Sequence, residues 1–284
     1  MLSLTSAVHS QTTKAQPLPP VWPELDKAGM KFRQSQLILI AGQPNSGKSL
    51  MALVYAVQSK VDTLYFSADT DPITQLMRTA AHLTRTDQAD VEATLDKDPN
   101  AYDTVIQEFA GHIRWVFDPS PTIDVIELEI LAYAEVYGIS PAVVVVDNLM
   151  NAVAQQGEEW SGIRAIMSSL HEIARLTGSC VLALTHMSEQ TDYKPNIPAP
   201  RRAILGKASQ LPSMILSIAM DPVVKKLRVV AVKNRFGEHH ANADPYIELH
   251  CEPSKVEIKD NTQYKPITWQ DAHTRLYGQQ TIEG

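Results

Sequence analysis

One short pattern limits this chain more than any other stretch: Gly42-Gln43-Pro44-Asn45-Ser46-Gly47-Lys48-Ser49. The apolar run Leu37-Ile38-Leu39-Ile40 leads into it, and Leu50, Leu53, Val54 and Val57 follow at helical spacing. A strand, a glycine loop ending in Lys-Ser and a helix form, in that order, a phosphate-binding loop of the Walker A type. The glycines permit a tight turn that aims successive N–H groups at phosphate oxygens, and the helix adds its positive N-terminal end. The spacing therefore predicts a nucleoside triphosphate held by Gly42 to Leu50. Lys48 is expected on the terminal phosphates and the Ser49 hydroxyl on Mg²⁺, which prefers hard oxygen ligands.

The following stretches alternate between strand and helix patterns. Strands are expected at 61–68, 112–117, 142–146 and 180–184, and helices after Pro72, after Ser120-Pro121 and over about 160–176, stopped by Gly178. Residues 84–110 read as short helices with a loop. Ala142-Val-Val-Val-Val146 shows no alternation, as in a strand covered on both faces of a parallel sheet. Later runs at 213–219, 226–232 and 245–250 are closely spaced, as in an antiparallel extension. The fold class is thus α/β, a mainly parallel sheet flanked by helices. Residues 1–30, rich in Ser, Thr, Gln and Pro, are expected as an arm or linker, 31–258 as the core and 259–284 as a polar tail. Trp22 and Leu25 could dock on their own domain or on a neighbouring subunit.

The polar candidates Lys48, Asp69, Asp147 and His186 each lie just past a strand's C-terminal end, where open α/β sheets bind ligands. Asp147 fits the carboxylate that holds the metal's water shell. Asp69 is the preferred residue to orient an attacking water, because Asp71 before Pro72 is better explained as a helix N-cap. His186 either senses the terminal phosphate or is a satisfied strand-end side chain. Lys233 and Arg235, one residue apart on a strand, share a side. They are either a solvated edge or charge-stabilising fingers for a phosphate, in an adjacent subunit if not their own.

Composition removes several function classes. A net charge of −7 argues against generalised nucleic-acid binding and leaves room for a local basic surface. Residues 193–220 contain Lys194, Arg201, Arg202 and Lys207 and no acidic residue, either a track for single-stranded DNA phosphates or an ordinary exposed loop. No apolar run reaches membrane-span length and no signal peptide is legible. Cys180 and Cys251 make neither a disulfide framework nor a zinc site. A reducing cytoplasm is the expected setting.

Four features together resemble the RecA-like core of hexameric replicative helicases of the DnaB type: the phosphate loop; Ser67-Ala68-Asp69-Thr70, similar to that family's Ser-Leu-Glu-Met; the Val-Val-Val-Val-Asp147 strand; and Lys233-Asn234-Arg235-Phe236-Gly237. Thr185-His186 is similar to the small plasmid helicase RepA. The resemblance spans about 30–258 and is strongest to single-domain DnaB-like ATPases of actinobacterial bacteriophages. There Asp147-Asn148-Leu149-Met150 and Gly206-Lys207-Ala208-Ser209-Gln210-Leu211-Pro212 look like shared landmarks. It implies a homo-oligomeric ring, a hexamer, with ATP at subunit interfaces, Lys48 and Ser49 acting in cis and Lys233 and Arg235 in trans. Asp69 would stand for a catalytic Glu and His186 for a phosphate-sensing Gln. A ring-shaped DNA helicase, working in the host cytoplasm if phage-encoded, is the expectation. The competing readings are a recombination or strand-annealing ATPase of the same fold, and a regulatory ATPase acting on protein partners.

Overall fold

The computed structural model describes residues 15–153, 159–187, 194, 196–204 and 209–261, with 152, 153 and 159–162 as backbone only. Its centre is β1 (Leu37–Gly42), every residue of which is buried. β2 (Thr63–Ser67), β4 (Val143–Asp147) and β5 (Cys180–His186) run parallel to it, with the shorter β3 (Ile113–Val116) at the edge. β6 (Met214–Asp221) is parallel to β1, whereas β7 (Lys226–Asn234), β8 (Ile247–Glu252) and β9 (Glu257–Lys259) continue the sheet antiparallel. The order is β3-β2-β4-β5-β1-β6-β7-β8-β9. The fold class expected from the alternation of patterns is the one observed.

Successive side chains of a strand face opposite sides, and each side has its own core. Ile38, Ile40, Tyr65, Val145 and Leu182 pack on one face with Met51, Val54 and Tyr55 of α2 (Lys48–Ser59). Leu37, Leu39, Val144, Val146 and Val181 pack on the other. There they meet Ile126 and Ile130 of α6 (Ile123–Tyr137) and Met167 and Leu170 of α8 (Glu159–Thr177). The valines of β4 are buried on both faces for this reason.

Local chemistry sets the helix ends. Asp71 caps α3 (Pro72–Thr84) as expected: the Thr74 N–H donates to its carboxylate at 3.0 Å. α6 begins at Ile123 with Thr122 as its cap, two residues later than Ser120-Pro121 suggested, because the Val125 N–H donates to Thr122 Oγ1 at 3.2 Å. The polar stretch between α3 and β3 holds α4 (Gln88–Leu95) and α5 (Asp103–Ala110). α7 (Leu149–Val153) follows β4 directly. Short 3₁₀ turns lie at Arg201–Ala203 and Pro253–Lys255.

The N-terminal stretch differs from the expected arm. From residue 15 on it is packed, and α1 (Pro23–Lys27) forms within it. Leu18, Trp22, Leu25 and Met30 are buried in the α2-side core. The Trp22 indole donates to the Ile258 carbonyl at 3.2 Å, and the Glu24 N–H donates to Asp260 Oδ2 at 3.2 Å. Phe32 meets Tyr55 edge-on at 4.5 Å. Trp22 and Leu25 therefore dock on their own chain. Isolated apolar residues among prolines showed no period; their partner surface is built by α2 and β9, far along the chain. Residues 1–14 and 262–284 lie outside the described residues.

Candidate functional site

The loop from Gly42 to Ser49 joins the end of β1 to the start of α2, and glycine is required at two of its positions. A Cβ on Gly42 would lie 2.2 Å from Ser46 Oγ and 2.7 Å from the Ile218 carbonyl oxygen. Gly47 adopts φ 88°, the left-handed region that glycine enters without steric cost. Ser46 Oγ is buried and has no hydrogen-bond partner among the described residues. An unsatisfied buried hydroxyl in a glycine cradle fits a loop shaped for an anionic ligand.

The loop opens on a cleft of about 440 Å³. Residues 44–50 form one side, and Asp69, Asp147, Asn148 and His186 line it from neighbouring strand ends. Lys48 is 7% exposed. Its ammonium donates to the carbonyls of Gly42 at 3.1 Å and Gln43 at 2.9 Å, and reaches His186 Nδ1 at 3.4 Å. Burial lowers its pKa to about 8 against the raising effect of Asp147 and Asp69.

The Ser49 hydroxyl donates to Asp147 Oδ1 at 3.1 Å, and the Tyr65 hydroxyl to Oδ2 at 3.0 Å. Burial pushes the Asp147 carboxyl up, opposed first by these hydrogen bonds. A hydroxyl and a carboxylate side by side beneath the glycine loop suit Mg²⁺, which takes few protein oxygens and completes its shell with other oxygens, such as those of phosphate and water. Asp69 accepts from Asn148 Nδ2 at 3.2 Å and from Asn151 Nδ2 at 2.5 Å. Burial, and then the Lys48 charge, hold His186 below the usual histidine value.

Lys233 and Arg235 do share a side, since both donate to the Gln210 carbonyl. They are not in this cleft. The Arg235 N–H donates to the Ser213 carbonyl and the Ser213 N–H to the Leu37 carbonyl. Arg235 is therefore level with the start of β1, roughly 17 Å along the strand from the loop. Lys233 also donates to the Ser209 carbonyl at 3.0 Å, and Arg201 donates to the same oxygen at 3.3 Å. Arg201 thus joins the Lys233 cluster. Lys194 and Arg202 are exposed, while Lys207 lies outside the described residues.

Sequence reasoning missed the far wall of the cleft: Thr70, Arg78, Gln88, Met220, Pro253 and Val256. Arg78 of α3 donates to Thr70 Oγ1 at 3.3 Å. Gln88 of α4 donates to the Pro253 carbonyl at 3.1 Å. No local pattern marks this wall, because a helical insertion meets a turn more than a hundred residues later. Tyr65 and Asn151 were missed as well. A strand tyrosine two residues before Ser67 was the available sign for the first.

Comparison with known proteins identifies the family and the fold. The DnaB-like helicase C terminal domain matches residues 18–206. The Gene 65 protein of Mycobacterium phage L5 is 34% identical over 269 residues, 92% of this chain and 99% of that protein. The Gene 65 protein of Mycobacterium phage D29 is 34% identical over 237 residues, 79% of this chain and 99% of that protein. Among solved structures, an ATPase domain superposes with a TM-score of 0.74 at 16% identity, covering 90% of this chain and 95% of that one. A DnaB-like replicative helicase gives 0.72 at 16%, covering 90% and 64%. The KaiC-like protein PH0186 of Pyrococcus horikoshii gives 0.59 at 13%, covering 87% and 99%. Among the described residues no helix is long and apolar enough to cross a membrane.

Proposed function

The chain belongs to the family of DnaB-like helicase C-terminal domains, and we propose that it is an ATP-driven ring that moves along single-stranded DNA, a DNA helicase. Family and fold support a helicase-type ATPase with a RecA-like core. Ring, DNA and unwinding are our reading. The observation that carries it is the convergence of Lys48, Ser49, Asp69, Asp147 and His186 on the cleft beside the phosphate loop.

Hydrolysis of a triphosphate is mainly a matter of position and charge. In this reading the N–H groups of Asn45, Gly47, Lys48 and Ser49, in the loop and at the start of α2, hold the phosphates. Lys48 exchanges the carbonyls of Gly42 and Gln43 for phosphate oxygens. Ser49 and Asp147 would hold Mg²⁺, whose charge would offset that on the phosphate oxygens. Asp69 orients the attacking water and accepts its proton. His186 receives the Lys48 ammonium at Nδ1, so its Nε2–H is left to detect the terminal phosphate.

Among the described residues, the site lacks a cation for the outer face of the phosphoryl group, apart from Arg78. Lys233 and Arg235 are suited to that role only from another subunit, since their own strand holds them at the opposite sheet edge. That separation supports a ring with ATP at its interfaces. Lys194, Arg201, Arg202 and Lys207 would track DNA phosphates, Arg201 also carrying the link to the Lys233 cluster.

The test is a DNA-stimulated ATPase assay on the wild type and Arg235→Ala. A trans cation predicts retained nucleotide binding with hydrolysis lowered by roughly 10³-fold or more. Mixing Arg235→Ala with Lys48→Ala chains then restores activity at hybrid interfaces. No recovery in any mixture, with a chain that stays monomeric beside ATP and oligonucleotide, ends the motor reading. A steep fall of DNA affinity with salt separates it from a protein-directed ATPase. Unwinding of a duplex, against pairing of complementary strands, separates it from an annealing ATPase.

A further inference from the structure

The amides of Asn148 and Asn151 are aimed at one carboxylate, and neither residue belongs to the machinery assigned so far. Asn151 Nδ2 donates to Asp69 Oδ1 at 2.5 Å, and Asn148 Nδ2 donates to Asp69 Oδ2 at 3.2 Å. We propose that Asn148 and Asn151 are positioning residues that clamp Asp69 in its water-orienting place. The inference rests on the ATPase reading given above and deepens it.

Asp69 sits on the turn after β2, where a side chain held only by its own backbone would wander. A carboxylate has about four lone-pair directions. The two amides fill one on each oxygen and leave the others for a water. The orientation of Asn148 is itself set: its Oδ1 accepts the Met150 N–H at 3.0 Å, so Nδ2 must face Asp69. Asn148 is 4% exposed, which keeps that amide from turning to solvent. The turn is tied at its backbone too, since the Ala68 N–H donates to the Asp147 carbonyl at 2.7 Å.

Backbone and side chain of the Asp69 turn are therefore fastened to one five-residue stretch, 147–151, which also carries Asp147. The clamp fixes the water-orienting carboxylate relative to the metal-holding one. Small displacements of such groups cost rate, not ground-state binding. A helix-capping role explains only part of the pattern: it accounts for Asn148 Oδ1 on the Met150 N–H and leaves both Nδ2 contacts unexplained.

That difference supplies the test. Asn148→Asp keeps the capping oxygen but replaces the donor with a carboxylate facing Asp69. Asn151→Ala removes the other donor. Steady-state ATPase is measured on both, with Lys48→Ala and Asp69→Asn as references and thermal unfolding as a check on folding. Each variant is expected to lose about ten-fold or more in kcat with KM for ATP within about two-fold, the pattern of an interaction acting through the transition state. Asn151→Gln, which keeps an amide donor, recovers part of the loss. An unchanged kcat in either variant, while Asp69→Asn is inactive, overturns the clamp and leaves the ATPase reading standing. Parallel changes in kcat and KM with a lowered unfolding temperature make the asparagines structural and also overturn it. An Asp69→Asn chain as active as the wild type removes both the assignment of Asp69 and the clamp.

Discussion

The Lys48 ammonium lies 3.4 Å from Nδ1 of His186, so the loop from Gly42 to Ser49 and the end of β5 are in direct side-chain contact. The contact joins the group expected to grip a phosphate to the group expected to report on it. Burial holds Lys48 near 8, and burial, then that ammonium, hold His186 below the ordinary histidine value.

A proton should accompany nucleotide binding. At pH 8.5 an ammonium held near 8 is mostly neutral, and triphosphate oxygens beside it favour the charged form. ATP binding then takes up a fraction of a proton. Calorimetry in two buffers of different ionisation enthalpy reads this as unequal apparent heats. Lys233 is also held at about 8, so the measurement belongs on a Lys233→Met chain. Equal heats in both buffers would contradict the placement of Lys48 on the phosphates.

Gly42→Ala should leave a folded chain that does not bind ATP. The new methyl would sit 2.2 Å from Ser46 Oγ and 2.7 Å from a backbone oxygen, so the loop must move. The cradle depends on the direction of each N–H, whereas the two sheet cores lie beneath it. Thermal unfolding with and without ATP and Mg²⁺ checks this: the wild type gains a ligand-induced rise in Tm and the variant shows none.

Stability should fall as the solution is acidified below the ordinary histidine value. His82 is half-buried; its Nδ1–H donates to the Val256 carbonyl at 2.7 Å, and Nε2 accepts from the Gln58 amide. Burial lowers its pKa from 6.5. Below pH 6.5 the unfolded chain therefore binds a proton that the folded chain refuses. The stability is whole above 6.5 and is lost as pH falls toward the folded value. His171, His186 and His250 are lowered in the same sense. Urea unfolding at pH 7.5 and 5.5 should show the loss, and His82→Gln should show less of it. An identical pH slope in the variant would exclude His82 as a contributor.

Trp22→Ala should destabilise the whole domain, not merely free an arm. The indole is 4% exposed and donates to Ile258. Removing a buried tryptophan costs about 3–5 kcal/mol, with a hydrogen bond lost as well. Urea titration followed by far-UV circular dichroism gives the value. A loss under about 1 kcal/mol would mean the N-terminal segment packs without contributing.

What could be read along the chain was whatever local backbone physics decides. Gly42 to Ser49 announced a strand, a tight loop and a helix because three neighbouring segments are enough to build that unit. The valines before Asp147 announced a buried strand, since a residue covered on both faces has no polar side to show. Asp71 before Pro72 announced a helix start, because the cap and its N–H partner lie within one turn.

Tertiary structure decided the rest, through surfaces that do not exist until distant segments meet. Trp22 and Leu25 gained a partner only when β9 closed against α2. The far wall of the cleft arose from Gln88 meeting Pro253. The two asparagines reached Asp69 only because β2 and β4 pair with Ser67 beside Asp147. Arg201, grouped by sequence with the basic loop, was drawn to the carbonyl that Lys233 also uses. Periodicity and spacing describe a chain's neighbours in sequence; a hydrogen bond across eighty residues depends on strand order, which no single stretch encodes.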